Sequence, residues 1–221
     1  MRTSPRFARG LDIGCGTGLS ARALRRASEL VLGIDPSLFM LRHAGFSSGV
    51  SYAVGAAEAI PALDAAFDIA SIGCAFHWCD RVQLFAEVSR VLRTAGWFLI
   101  YDSDLRGWRD GSREPVERLT AEYWSQLPPC PRNPHFDPGQ HVSPPFALHT
   151  ATLVTQTVPL SPAELSAFIR TQASTVMAVV SGHTPPARAR ERLDKCLSPL
   201  FAGASTREFL FGGSLHVLRK C

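Results

Sequence analysis

Along the first hundred residues, short apolar runs alternate with amphipathic stretches, the rhythm of consecutive βαβ units. Residues 7–13 read as a first strand, followed by a glycine turn and a helix over 19–27. A second strand (30–35), a helix (37–44) and a third strand (50–55) follow, the last ending in a loop over 56–64 that contains Pro61. Residues 67–72 form a fourth strand. The helix over 80–92 places Val82, Phe85, Val88 and Leu92 on one face, with Asp80 as its cap and Gln83 reaching back to it. Residues 96–102 complete a fifth strand.

Beyond Asp102 the rhythm breaks. A polar loop and a helix over 115–127 lead into a segment with prolines at 128, 129, 131, 134, 138, 144 and 145, which predicts no regular structure. A sixth strand covers 150–158. Ser161, Pro162 and Glu164 then spell a capping box with proline at the first helical position, and the helix runs to about residue 173. Another helix spans 185–200, and a last strand covers 207–219, with Gly212-Gly213 as a bulge or tight turn. There is no internal repeat.

Composition narrows the class. A chain of 221 residues with 46% hydrophobic and 19% charged residues is globular and has room for one large domain. Its longest apolar stretch, 69–76, is far short of a membrane span, and the opening residues lack the apolar core of a secretory signal, so the expected location is cytoplasmic without a membrane partner. The six cysteines (15, 74, 79, 130, 196 and 221) show no C-x-x-C pair, which argues for reduced thiols over a zinc site or a disulfide framework. The net charge of +4 comes almost wholly from arginine, and Arg188, Arg190 and Arg192 alternate with Ala and Glu on a helix, a solvated face more than a nucleic-acid surface. His135, His141, His149 and His183 have no metal-ligand spacing, so no metal is expected.

The chemistry concentrates after the first strand. In Leu11-Asp12-Ile13-Gly14-Cys15-Gly16-Thr17-Gly18, three glycines remove side chains where the backbone turns and a ligand approaches it. The spacing is G-x-G-x-G, and the preceding Asp12 repels a pyrophosphate but attracts a cationic group such as an amino acid ammonium. Gly33-Ile34-Asp35-Pro36 closes the second strand, where an aspartate can accept both hydroxyls of a ribose. Alone, Asp35 reads equally well as a turn or capping residue; the glycine loop before it favours the ribose.

With these features the sequence resembles the class I S-adenosylmethionine (SAM) dependent methyltransferases, of the trans-aconitate and small-molecule type. The resemblance rests on LDIGCGTG, GIDPSLFM, Val54-Gly55-Ala56-Ala57-Glu58-Ala59-Ile60-Pro61, FDIASIGCAFHW and Val91-Leu92-Arg93-Thr94-Ala95-Gly96, five ordered matches over residues 7–102. It implies a Rossmann-like α/β fold: a seven-stranded mixed sheet with helices on both faces, strand seven antiparallel between strands five and six, and the usual N-terminal helices missing. It implies SAM as cofactor, with Asp12, Gly14, Cys15, Gly16 and Gly18 around its methionine moiety, Asp35 and Pro36 at the ribose, Ala57 and Glu58 at the adenine, and Gly73 at the end of strand four. Many relatives carry aspartate where this chain has Ala56. His77, in His77-Trp78-Cys79-Asp80, is the candidate catalytic residue, able to orient the acceptor or act as a base; its plainer reading is a local hydrogen bond, and that of Asp80 a helix cap.

The expected organisation is one methyltransferase domain over 1–221, with 1–102 binding SAM and 103–206 forming a substrate-side cap. The expected partner is a small-molecule acceptor, a carboxylate or a hydroxyl, and no nucleic acid. With strand one so near Met1, its Leu11 and Ile13 are expected to be partly uncovered or capped by the 103–206 stretch. Tyr123 and Trp124 can line an acceptor pocket or belong to the core. Two other functions compete: a SAM-binding protein with degenerate catalysis, and a nicotinamide-dependent reductase, the latter disfavoured by the loop spacing and the absence of a Tyr-x-x-x-Lys pair.

Overall fold

In the computed structural model, which describes residues 7–109, 112–128 and 136–221, the alternation of the first half becomes a parallel sheet. The elements are β1 (Phe7–Ile13), α1 (Leu19–Leu24), β2 (Ser28–Asp35), α2 (Leu38–Arg42), β3 (Val50–Val54), β4 (Phe67–Gly73), α3 (Arg81–Val91) and β5 (Leu92–Tyr101). There follow β6 (Asp104–Trp108), α4 (Glu114–Ser125), α5 (Pro138–His141), β7 (Phe146–Leu160), α6 (Pro162–Arg170), α7 (Ala173–Val180), α8 (Pro186–Phe201) and β8 (Arg207–Lys220). The chain divides into two compact units, one of residues 1–102, 133–153 and 214–221, the other of 103–132 and 154–213.

In the first unit the strand order is β3-β2-β1-β4-β5-β8, parallel from β3 to β5, with Leu215–Arg219 of β8 antiparallel to Trp97–Tyr101 of β5. Alternation sorts the strand residues to two faces. Leu11, Ile13, Ile34, Ile72, Phe98 and Ile100 join Leu84, Val88 and Val91 of α3 in one core, while Val31 and Ile69 pack with Ala21 and Leu24 of α1 in another. Helices therefore cover both faces. Leu11 and Ile13 are 0% and 1% exposed, so the partly uncovered face expected near strand one is absent; their core includes Phe136 and Phe146 from the inserted stretch.

The stripe of α3 is rotated from the expected one. Val82 is exposed and Leu84 is buried, because the face that meets the sheet is Leu84, Val88 and Val91. Asp80 caps the helix by accepting from the Gln83 amide at 2.9 Å, but the Asp80 amide donates to Glu58 at 2.8 Å, so the reciprocal bond expected of Gln83 is made by a residue from another loop.

The second unit has its own core, in which Val116 and Tyr123 of α4, Leu165 and Ile169 of α6, and Leu193, Leu197 and Phe201 of α8 meet Phe209 and Phe211. Tyr123 is fully buried and Trp124 packs partly against this core, the plainer of their two readings. Ser161 and Glu164 form the expected capping box. Arg188 and Arg190 lie exposed on α8.

Four expectations fail here. Among the described residues eight strands are present where seven were expected: Asp104–Trp108, read as polar loop, pairs antiparallel with Phe209–Gly212 as β6 and is the neighbour of β8 in the strand order, while β7 pairs with β8 off that path. The irregularity is on β6 between Leu105 and Gly107, and β8 runs straight through Gly212, whose missing side chain makes room for Thr155 and Val154. The helix from Pro162 stops at Arg170 and α7 follows it; β-branched and small residues in Ala173–Val180 weaken the helical pattern there. The proline-rich segment also holds a helical turn, α5, capped by Asp137 with Pro138 at its first position. Cys130, His135 and the prolines at 129, 131 and 134 lie outside the described residues.

Candidate cofactor and acceptor site

The loop after β1 turns through three glycines in the left-handed region, Gly14 (φ +67°), Gly16 (φ +52°) and Gly18 (φ +79°). Gly18 starts α1, and the Gly18 amide closes the turn on the Cys15 carbonyl at 2.8 Å. Against Gly14 sits Ala75, so close that a Cβ on Gly14 would lie 2.7 Å from that of Ala75. The glycine loop and the turn after β4 are thereby pressed together at the carboxyl ends of neighbouring parallel strands, where open α/β sheets bind ligands.

Two carboxylates flank this loop. Asp12 is wholly buried and accepts hydrogen bonds from Ser20 and, at 2.8 Å, from Ser71. Burial pushes its pKa from 3.8 up to about 6; the two serines oppose that rise and the nearby Asp35 adds to it. Asp35 accepts the Gly16 amide on one oxygen at 2.9 Å and the Ser37 amide on the other at 2.8 Å. It is a clasp for the loop, and each oxygen retains a further lone pair. Cys15, in the loop between them, is buried, and burial with the charges of Asp12 and Asp35 holds it as a thiol, its pKa up to about 12.

The other expected residues lie around the same edge. Pro36 is exposed beside Asp35. Ala57 is buried and Glu58 half-buried in a turn closed by the Ala59 amide on the Ala56 carbonyl, with the Glu58 carboxylate tied to the start of α3. Gly73 ends β4, and the Tyr101 ring occupies the space that a side chain there would need. His77 is 9% exposed in a 3-10 turn over Phe76–Trp78, its ring 5.1 Å from that of Trp78.

Ser20, Ser71, Tyr52 and Tyr101 were not singled out from the sequence. Tyr101 has its phenol pushed above the usual range, first by burial and then by the field of Asp12. Of these, only Ser71 had a visible signal: it stands two residues before Gly73 and so on the same face of β4.

A left-handed glycine loop held between two carboxylates at the ends of adjacent parallel strands is the ligand-binding edge of an open α/β sheet. Residues 11–100 match the family described as "Methyltransferase domain". A curated relative, the malonyl-[acyl-carrier protein] O-methyltransferase of Hamiltonella defensa, is 29% identical over 139 residues, covering 54% of this chain and 54% of that protein. The chain thus spans about half the length of that relative. Among solved structures, a protein from Anaeromyxobacter dehalogenans assigned as a type II methyltransferase superposes with a TM-score of 0.69 at 21% identity, covering 99% of this chain and 97% of that one. A geranyl diphosphate methyltransferase in complex with SAM superposes with a TM-score of 0.51 at 16% identity, covering 99% and 80%. These two likenesses carry the fold.

Proposed function

We propose that the protein is a SAM-dependent methyltransferase acting on an oxygen of a small-molecule or carrier-linked acceptor. The observation that supports it most is the donor set around the glycine loop. Buried Asp12 suits an ammonium, Asp35 suits the two ribose hydroxyls, and the turn at Ala57 and Glu58 suits the adenine. Among the described residues only the end of Met40 comes near the space beside Gly16, so backbone approach is open there. When bound, SAM supplies a methyl group on a sulfonium that is already a good leaving group. The protein's part is to hold that group, align the acceptor and exclude water.

The name of the Hamiltonella relative supports a carboxylate acceptor on a carrier protein. The family match, however, ends at residue 100 and so covers the cofactor-binding strands, not the rest of the chain. Isothermal titration with SAM and with NADH separates methyl transfer from nicotinamide chemistry. A SAM-consumption screen against carboxylic acids, phenols and amines, with product masses measured, then identifies the acceptor class and tests the degenerate alternative.

Two expected outcomes follow from the geometry. Asp35→Ala should weaken SAM binding by about 1–3 kcal/mol, the scale for losing hydrogen bonds to a charged group, since both a ribose partner and the Gly16 clasp go with it. Unchanged affinity by calorimetry would place the ribose elsewhere. His77→Ala should leave SAM affinity within about threefold while lowering turnover by about 100-fold, the usual scale for an acid–base group. Loss of SAM binding with intact folding would move His77 into the cofactor site.

A further inference from the structure

Strand β7 (Phe146–Leu160) is an edge strand: among the described residues its strand neighbour is β8, and just past the end of β8 the Cys221 amide donates to the Pro145 carbonyl at 2.8 Å. Its other edge is open. Residues 147–157 are all exposed, Leu153 to 81% and Val154 to 52%. An edge strand turns a row of N–H and C=O groups toward solvent, ready to pair with another chain. Proteins blunt such edges with short strands, charges or proline. β7 has 15 residues where about five or six are usual, and Pro159 comes only at its end. No Asp, Glu, Lys or Arg lies between Asp137 and Glu164, in a chain of which 19% is charged.

The missing charge identifies the occupant. Two copies pairing edge to edge about a two-fold axis run antiparallel and bring the middle of each strand against its own counterpart, so a charge there meets its like and repels it. A different protein imposes no such restriction, since opposite charges would then strengthen and direct the pairing. We propose that β7 is a self-association edge, to which a second copy of this chain adds its own β7 antiparallel, joining two sheets into one. Leu153 is the midpoint of the strand, with seven residues on either side, so full overlap sets it against its own counterpart. Thr152 then faces Val154 of the second copy, Ala151 faces Thr155 and Thr150 faces Gln156, pairs that oppose no charges and are rich in β-branched side chains. Leu153, left in water by the single chain, is covered. In the strand order β4, β5 and β8 separate β7 from β1, which carries Asp12, so the pairing leaves the cofactor edge of each copy free.

The test is sedimentation of the 221-residue chain and its Leu153→Lys and Leu153→Glu variants over a concentration series. The parent should approach twice its 24.0 kDa as concentration rises. Each variant should associate about 100-fold more weakly, having lost two covered leucines and gained a like-charge pair, yet melt as the parent does when both are single chains, because the position is exposed there. An equimolar mixture of the two variants should associate about fivefold more tightly than either alone, since lysine then meets glutamate. The amides of 147–157 should exchange more slowly in the parent as concentration rises. A parent that keeps the single-chain mass at every concentration, a dimer that survives in both variants, or a mixture no tighter than its components overturns the proposal. Should a variant melt below the parent, hydrogen exchange in the parent decides: a dimer whose 147–157 amides exchange as fast as those of the single chain overturns it.

Discussion

Asp12→Asn should make the protein without cofactor more stable at neutral pH and nearly blind to SAM. The buried carboxylate has its pKa raised from 3.8 to about 6, first by burial. Between those pH values the folded protein keeps a proton that the unfolded chain has already released. Folding is therefore favoured at low pH and penalised as pH rises, with the full penalty present above about 6. At about 1.4 kcal/mol per tenfold change in proton affinity, that penalty is about 3 kcal/mol. Asparagine cannot ionise, so the variant should melt higher than the parent at pH 7–8, and the difference should close below the unfolded value of 3.8. Binding should move the other way. Loss of the charge-assisted bond to an ammonium corresponds to roughly 1.5–3 kcal/mol, or about 10- to 150-fold in affinity. In the parent, SAM affinity should weaken as pH falls below about 6, where Asp12 takes up its proton; in the variant it should not. Equal melting curves at pH 8, or normal SAM binding by the variant, would show that Asp12 is a structural acid.

That stored penalty explains which parts of the site can be read from the sequence. The glycine spacing, Asp12 and Asp35 are legible because a tight turn and its neighbouring acids are set by local backbone geometry. The Asp80 cap and the Ser161 box are legible for the same reason. Asp12's partners are not: Ser20 is eight residues away on a helix, and Ser71 is 59 residues away on β4, brought alongside only by the register of β1 and β4. Asp68 is similar. It looks like an ordinary polar strand residue, yet it accepts the Ala8 and Arg9 amides and pairs with Arg93 at 2.9 Å, tying β1 to the start of β5. Strand β6 escapes notice since Gly107, at φ +145°, and the irregularity before it interrupt the two-residue alternation by which strands are recognised.

Gly18→Val should unfold the cofactor loop and remove measurable SAM binding. The backbone there is left-handed, at φ +79° and ψ 16°, a conformation that costs a residue with a side chain roughly 1–2 kcal/mol and a β-branched one more. Space is denied as well. A Cβ at Gly18 would fall on the Tyr52 hydroxyl, with ring carbons at 2.6 and 2.8 Å. Tyr52 cannot easily retreat, since its ring also lies against Gly33, where a Cβ would be 2.9 Å away, and its hydroxyl donates to the Gly45 carbonyl at 3.2 Å. The tyrosine is a wedge between β2, β3 and the loop, and displacing it disturbs all three. Gly16 differs: it shares the left-handed backbone, but the nearest atom to a Cβ is the end of Met40 at 3.3 Å. Gly16→Ala should accordingly cost only the conformational strain of about 1–2 kcal/mol. The contrast separates strain from crowding. If crowding against Tyr52 dominates at Gly18, then Tyr52→Ala should restore part of the stability lost in Gly18→Ala, a coupling of about 0.5–3 kcal/mol in a double-mutant cycle followed by chemical denaturation. Additive effects of the two substitutions, or a Gly18→Val protein that melts and binds SAM like the parent, would show that the loop does not depend on that wedge.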